Sequence, residues 1–169
     1  MKNISRIFTA IVLVTFAINV KAQNTSNATS QASATIITKL LIENERNLNF
    51  GTIANNVEGT VTMAADDNPV PLYSNPGMVV PAGNNNITSA KFIITGEQNY
   101  NFKMVIDESI ELKNGSNEMS LTLTPSLTEP SVSLGGGTVD LYVGGILYVN
   151  QAQAAGNYSG SFNVTVTYE

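Results

Sequence analysis

The end of the chain alternates between apolar and polar side chains over residues 158–168 with hardly a break. A period of two is typical of a strand with one buried face and one face in water. Burying the large side chains of that face contributes about 7–15 kcal/mol as an upper bound, comparable to the net stability of an ordinary domain. We therefore expect this strand to be required for folding. Its apolar face holds Tyr158, Phe162, Val164, Val166 and Tyr168.

The chain after residue 33 consists of short apolar stretches separated by turn residues. The stretches are rich in β-branched and aromatic residues and end at glycine, proline or asparagine, which is typical of strands. No window of a dozen residues beyond the N-terminus carries helical periodicity. About nine short strands without helices predict an all-β fold, an antiparallel immunoglobulin-like β-sandwich of Greek-key type.

Several connections in this pattern are specific enough to test. The run at 35–42 predicts the first strand, followed by a polar turn at 43–47, and Asn114-Gly115 predicts a tight turn between two strands. Two further predictions are a hairpin joining strands at 87–95 and 100–106, and a break at Gly144-Gly145 between strands at 138–143 and 146–149.

The N-terminus has the three parts of a secretory signal peptide. Lys2 and Arg6 precede an apolar run at 7–20, and a small-residue cleavage site ends at Ala22. We predict a signal peptide at 1–22, a flexible polar leader at 23–33 and a single β-sandwich domain at 34–169. The apolar run is shorter than the roughly 20 residues of a membrane span, so an uncleaved anchor is the weaker alternative. The mature protein is then secreted, to the periplasm or the cell surface of a bacterium, and has no transmembrane helix.

Charge and composition exclude several classes of function. The chain has 8 basic and 13 acidic residues, and three of the basic ones lie in the signal peptide, which leaves a mature net charge of −8. An acidic chain disfavours nucleic acid as a partner. Because the sequence has no histidine and no cysteine, it offers neither a Ser-His-Asp or Cys-His catalytic group nor a His or Cys zinc site. We predict no enzyme, no cofactor, no metal and no catalytic residue.

Three weaker candidates for chemistry remain. Asp66-Asp67-Asn68 has the oxygen ligands that calcium prefers, but a solvated acidic loop is the better interpretation. Asp107, Glu108 and Glu111 are carboxylates at a strand end, where charged turns are common, rather than an opposed glycosidase pair. Tyr73, in the proline-rich loop at 69–81, is a candidate for stacking on a sugar, as are Tyr142 and Tyr148.

The mature chain from about Thr35 to Glu169 resembles the secreted bacterial family known as domain of unknown function 4402. The resemblance lies in the order of several short pieces along most of the chain. They are Phe50-Gly51, Gly59-Thr60-Val61, the strand end Phe92 to Gly96, Gly156-Asn157-Tyr158, and the final run from Phe162 to Tyr168.

The C-terminus is also similar to that of chaperone–usher pilins and spore-coat-type subunits, with a penultimate aromatic, Tyr168, and Gly156 fourteen positions from the end. The resemblance implies that a periplasmic chaperone holds this strand and that subunits assemble by strand addition. Pilins carry a disulfide that this chain lacks. The implied assembly strand comprises Gly156, Tyr158, Phe162, Val164, Val166 and Tyr168, and Ile36, Leu40 and Ile42 belong either to a donor segment or, as we favour, to the domain's own first strand.

The predicted function is that of an exported structural or adhesive protein of the cell envelope, similar to a fimbrial subunit. Its partners would be other envelope or fimbrial subunits or a periplasmic chaperone. The alternative is a carbohydrate-binding surface module with its site at Tyr73.

Overall fold

The computed structural model describes residues 24–80 and 86–169. The predicted signal peptide at 1–22 and part of the proline-rich loop lie outside the described residues. Ile36–Glu169 form one compact unit, and residues 24–35, which belong to a separate unit, are exposed and contain no helix or strand. Among the described residues, no helix has the length and apolar character needed to cross a membrane.

In residues 36–80 and 86–169, the compact unit contains ten strands and one 3-10 turn at Pro76–Met78. The strands all pair antiparallel and form two sheets. They are β1 Leu41–Arg46, β2 Gly59–Met63, β3 Leu72–Tyr73, β4 Ala90–Thr95, β5 Asn101–Ile106, β6 Ser109–Asn114, β7 Asn117–Pro125, β8 Val132–Ser133, β9 Thr138–Val149 and β10 Val164–Tyr168.

The larger sheet has seven strands and is organised around β9. The first half of β9 pairs with β4, and its second half pairs with both β2 and β7, which therefore lie on opposite edges of it. β1, β3 and β6 extend the sheet from β4, β2 and β7 respectively. The smaller sheet has β5 in the middle, with β8 on one edge and β10 on the other.

One hydrophobic core lies between the two sheets. Phe102 from the smaller sheet is completely buried in the same cluster as Ile94 and Leu141 from the larger sheet. The predicted all-β, antiparallel fold is confirmed, and the arrangement of two sheets over one core is consistent with a sandwich. The immunoglobulin-like Greek-key form stays a prediction.

The first strand lies further along the chain than predicted. The run at 35–42 is mostly outside any strand, and the predicted turn at 43–47 is wrong because residues 41–46 form β1. Polar side chains are tolerated there because β1 is an edge strand held by charges. Lys91 Nζ on β4 lies 2.8 Å from Glu45 Oε2, and Arg46 Nε donates to the carbonyl of Ser89 at 3.1 Å.

The predicted hairpin between the strands at 87–95 and 100–106 is also wrong. β4 and β5 belong to different sheets, so the short connection between them crosses from one layer to the other. Gly96 N–H donates to the carbonyl of Gly137 at 3.0 Å, and Leu134 N–H donates to that of Tyr100 at 2.9 Å. The connection is therefore bonded to the segment between β8 and β9 rather than closed on itself.

Two glycine predictions had opposite outcomes. The turn at Asn114-Gly115 is confirmed, with Gly115 at a φ of 61° between β6 and β7. The predicted break at Gly144-Gly145 is wrong, since β9 runs through both glycines. A Cβ on either glycine would collide with a backbone carbonyl of a neighbouring strand, that of Met63 or of Thr122. These glycines allow close packing of three strands rather than ending one.

Candidate functional site

A cleft with a volume of about 950 Å³ lies between two segments of the compact unit, 44–55 and 153–162. The two segments run in opposite directions. Thr38, which precedes the first, is bonded to Tyr168 beyond the second, whereas Asn55 at the other end is bonded to Gln153. The cleft therefore has the elongated form of a slot between two antiparallel stretches of chain.

The floor of the cleft is part of the hydrophobic core. It is formed by buried Ala90, Leu121 and Leu147 and by half-buried Ile110 and Leu112, which come from strands of the larger sheet. On one wall, the rings of Phe92 and Phe162 meet edge to face with centroids 6.0 Å apart. Among these floor residues, only the half-buried Ile110 and Leu112 keep contact with solvent.

A clamp on Thr38 joins the two ends of chain that continue beyond the flanks of the cleft. The Tyr168 hydroxyl donates to the Thr38 carbonyl at 2.9 Å and accepts from the Glu97 N–H at 2.5 Å. The Thr38 N–H donates to Glu97 Oε2 at 2.7 Å, and this bond lowers the pKa of the Glu97 carboxyl below its ordinary value. Both backbone groups of Thr38 are thereby satisfied just before β1 begins.

One end of the cleft is closed by amide side chains. Asn55 Nδ2 donates to the Gln153 carbonyl at 2.8 Å. The buried Gln153 side chain donates from Nε2 to the Tyr158 hydroxyl at 2.8 Å and to the Glu118 carbonyl at 3.2 Å. The Tyr158 hydroxyl donates to the Ala154 carbonyl at 2.8 Å, so the side chains of this corner bond to one another and to the backbone around them.

Each flank of the cleft forms backbone hydrogen bonds with a neighbouring segment rather than with the other flank. Asn49 exchanges two backbone hydrogen bonds with Thr88, at 2.8 and 3.0 Å, and Ser159 exchanges two with Lys113, at 2.8 and 3.1 Å. In an extended chain the backbone groups of adjacent residues point to opposite edges. The backbone hydrogen bonds of the two flanks thus join them to other segments and not to each other.

The lining of the cleft is uncharged. Within the described part of the chain, no lysine, arginine, aspartate or glutamate lines it, although the whole chain carries 21 such residues. Its polar groups are amides and hydroxyls of the rim, including Asn44, Asn47, Asn157 and Ser161. Amides both donate and accept, as a peptide backbone does. The cleft is therefore suited to an uncharged, extended occupant.

The predicted assembly strand is divided into two parts, and only the part up to Phe162 lines the cleft. β10 covers only Val164–Tyr168 and pairs with β5, whereas residues 158–163 cross from the bridge at Ser159 in the larger sheet to the smaller one. The apolar side chains alternate as predicted, but Tyr158, Phe162, Val164, Val166 and Tyr168 are half-buried against the core rather than fully enclosed.

Gly156 stands where the chain turns into this segment. Its φ is +144°, and a Cβ there would collide with the Asn114 side chain. The residue is needed for close approach to the turn between β6 and β7.

The three residues predicted to form a donor segment or the first strand, Ile36, Leu40 and Ile42, lie in two different environments. Leu40 and Ile42 pack against the core, and Ile42 lies in β1, paired with Ile94. Ile36 is 96% exposed. Leu40 and Ile42 are thus part of the domain itself, and Ile36 is available to another partner.

The weaker candidates do not assemble into a site. Asp67 pairs with Arg46 at 3.1 Å, and Asp66 accepts from the Asn68 N–H at 2.9 Å in a local turn. No group of three potential metal ligands occurs among the described residues. Tyr73 is half-buried and packs against the core, so its ring is not a free platform for a sugar.

Residues 40–168 match the family described as Domain of unknown function (DUF4402). The chain belongs to this family. The DUF4402 region includes both flanks of the cleft, its floor and Tyr168 of the clamp. It begins after Ile36, so the leader lies outside the matched region. No curated protein and no solved structure matches the chain. The similarity of the C-terminus to pilins stays a prediction.

Most of the cleft is not indicated by the sequence pattern. The C-terminal wall was predicted from its alternation, but the opposite wall at 44–55 and the floor residues Ile110 and Leu112 were not. A usable signal is present in Leu48 and Phe50, two apolar residues at strand spacing in a segment too short for a strand of its own.

Proposed function

We propose that this DUF4402 protein is an exported structural subunit of the bacterial cell envelope that assembles by accepting an extended chain segment into the cleft. The observation that carries the proposal is the open side of the sandwich. The apolar floor lies between two antiparallel flanks, and the backbone hydrogen bonds of the flanks join them to other segments rather than to each other. We propose no catalytic role and no cofactor.

The occupant we propose is the leader of a second copy. Residues 23–38 contain no charged residue and consist mainly of Ser, Thr, Asn, Gln and Ala, which matches the uncharged lining of the cleft. Residues 24–36 span up to about 43 Å when extended, and the 44–55 flank spans at most about 40 Å. The leader is therefore long enough to run the full length of the slot.

The side chains of the leader also have a suitable spacing. Ala28, Ala32, Ala34 and Ile36 share one parity and would face the cleft floor together in an extended conformation. Ile36 is the only large apolar residue of this set, and because it is exposed, its own domain leaves it free for a neighbour.

The test measures assembly of the mature protein, residues 23–169, by light scattering during size-exclusion chromatography over a range of concentrations. We expect oligomers whose size grows with concentration, and a monomer when Ile36 is changed to aspartate. Thr35→Asp is the matched control, because it adds the same charge on the opposite parity and should leave assembly intact.

A second pair of variants tests the acceptor side. Ser161→Glu places a charge on the rim of the cleft and should prevent assembly, whereas Thr165→Glu, an exposed position outside the cleft on the same segment, should not. Melting temperatures of all four variants should stay near that of the wild type. A mature protein that is monomeric at every concentration, or oligomers insensitive to both Ile36→Asp and Ser161→Glu, would contradict the proposal.

A further inference from the structure

A second surface lies on the outward face of the larger sheet, away from the cleft. Along β2, β7 and β9 the inward residues enter the core. The outward residues Thr60, Thr62, Ser120, Thr122 and Ile146 are half-buried, and Tyr148 is exposed. Ile146 on β9 pairs with Thr62 of β2 on one side and with Thr122 of β7 on the other. A row of side chains thus crosses three strands, with a hydroxyl on each side of an aliphatic centre.

The adjacent row repeats this arrangement around an aromatic residue. Tyr148 on β9 pairs with Thr60 of β2 and is 44% exposed. Ser120 on β7 has the same outward orientation as Thr122, since both alternate with the buried residues of that strand. We call this surface the hydroxyl face, defined by Thr60, Thr62, Ser120, Thr122, Ile146 and Tyr148.

The hydroxyls of this face are not used by the protein. In residues 24–80 and 86–169, no side-chain hydrogen bond engages the hydroxyl of Thr60, Thr62, Ser120 or Thr122. Each hydroxyl can donate one hydrogen bond and accept two. Four unengaged hydroxyls fixed on a rigid sheet at strand spacing are preorganised for a ligand that itself presents hydroxyls.

Charge selects among such ligands. β2 and the second half of β9, from Gly144 to Val149, contain no charged residue, and Glu118 of β7 is paired with Lys113 of β6 at 2.8 Å. The chain as a whole has a net charge of −5. An anionic ligand would find no cation among the residues of the hydroxyl face and would be repelled by the protein as a whole. The fitting ligand is neutral, rich in hydroxyls and flat enough to lie across a sheet.

We propose that the hydroxyl face binds a neutral polysaccharide. Tyr148 stacks against the C–H face of a sugar ring. The threonine and serine hydroxyls of β2 and β7, on either side of β9, form hydrogen bonds with the hydroxyls of the same polysaccharide molecule. The site is distinct from Tyr73, which packs against the core. It is also independent of the cleft, because its residues face the opposite side of the sheet from the core floor.

The test is affinity electrophoresis of the mature protein in native gels that contain a neutral polysaccharide, with hydroxyethyl cellulose, mixed-linkage β-glucan and galactomannan as probes. Polygalacturonate serves as the anionic comparison. We expect retardation by at least one neutral probe and none by polygalacturonate. Tyr148→Ala should weaken the association by about tenfold, and Thr62→Val, which removes a hydroxyl at nearly constant volume, by about threefold.

Thr165→Val is the matched control, since it removes an exposed hydroxyl from the smaller sheet. It should bind like the wild type, and so should the cleft variant Ser161→Glu, which separates this proposal from the assembly proposal. Absence of retardation by all three neutral probes, or equal retardation of wild type and Tyr148→Ala, would overturn the inference. A concentration-dependent dimer abolished by Tyr148→Ala would overturn it too, because the occupant of the face would then be a second copy.

Discussion

β9 and the C-terminal segment have the same alternation of apolar and polar side chains, but the two segments are buried to different depths. β9 has paired strands on both edges, and its inward residues Leu141, Val143 and Leu147 are at most 2% exposed. β10 has a paired strand on one edge only, and the inward residues Val164 and Val166 are half-buried.

The difference shows which property of a strand its sequence pattern predicts and which it does not. Alternation identifies the inward face of a strand, because successive side chains point to opposite faces. The depth of burial depends on how many neighbours cover that face, and these come from distant parts of the chain. The half-buried apolar face of β10 therefore reflects a smaller number of covering strands.

The greatest loss of stability should come from a substitution at the centre of β9. Leu141→Ala should lower the free energy of unfolding by about 3 kcal/mol, because the site is completely buried and the cavity cannot collapse between paired strands. Urea denaturation followed by tyrosine fluorescence measures this directly. A loss below about 1 kcal/mol would show that the centre of the larger sheet is no better packed than its edge.

A matched pair of valines compares the two segments. Val143→Ala in β9 should cost about 2–3 kcal/mol, and Val166→Ala in β10 about 1 kcal/mol, since the second side chain retains part of its contact with water. The same urea titration reports both values. Equal losses would contradict the difference in burial between the two strands.

The clamp at Thr38 should contribute less. Tyr168→Phe removes the hydroxyl that bonds to Thr38 and Glu97 while keeping the ring, and we expect a loss of about 1 kcal/mol. Tyr148→Phe is the control, because that exposed hydroxyl bonds to no protein group among the described residues. Hydrogen exchange should show faster exchange of the Thr38 and Glu97 amides in Tyr168→Phe alone.

The weakest of these effects is a dependence of stability on pH. The Thr38 N–H lowers the pKa of the Glu97 carboxyl below its ordinary value of 4.5, so the ionised form stabilises the folded state. This contribution is complete above pH 4.5 and is lost as the pH falls through the lower pKa of the folded protein. Urea midpoints at pH 7, 4.5 and 3 should therefore decline less steeply for Glu97→Gln than for the wild type. Parallel declines would show that the bond is not coupled to protonation.

The local features of the fold could be predicted from the sequence because they depend on neighbouring residues. The turn at Asn114-Gly115 needs only a positive φ and a short connection, and the strand faces need only alternation. The partners of β4 and β5 could not be predicted, since a short connection serves equally well as a hairpin or as a crossing between sheets. β1 was misplaced because the contact that holds it joins Glu45 to Lys91, two residues far apart in sequence, and its own apolar content is low.

The candidate site was predictable on one side only. Tyr158 and Phe162 belong to the alternating C-terminal pattern, which is visible in the sequence. Phe50, Ile110 and Gln153 become neighbours of the cleft only after the two sheets have formed. Tyr148 was predicted as a sugar-stacking candidate, but the rest of the hydroxyl face was not, for a related reason. Thr62 and Thr122 are ordinary strand residues in sequence, and only pairing with Ile146 from both sides places them on one surface.

Whether the leader occupies the cleft is best decided by an NMR titration of protein lacking residues 23–35 with a synthetic peptide of residues 23–38. We expect amide shift changes confined to the two flanks of the cleft, around Phe50 and around Ser159 to Phe162, with β2 unaffected. Peptide in large excess that leaves those amides unshifted, or that shifts amides only on the outward face of the larger sheet, would contradict strand addition at the cleft.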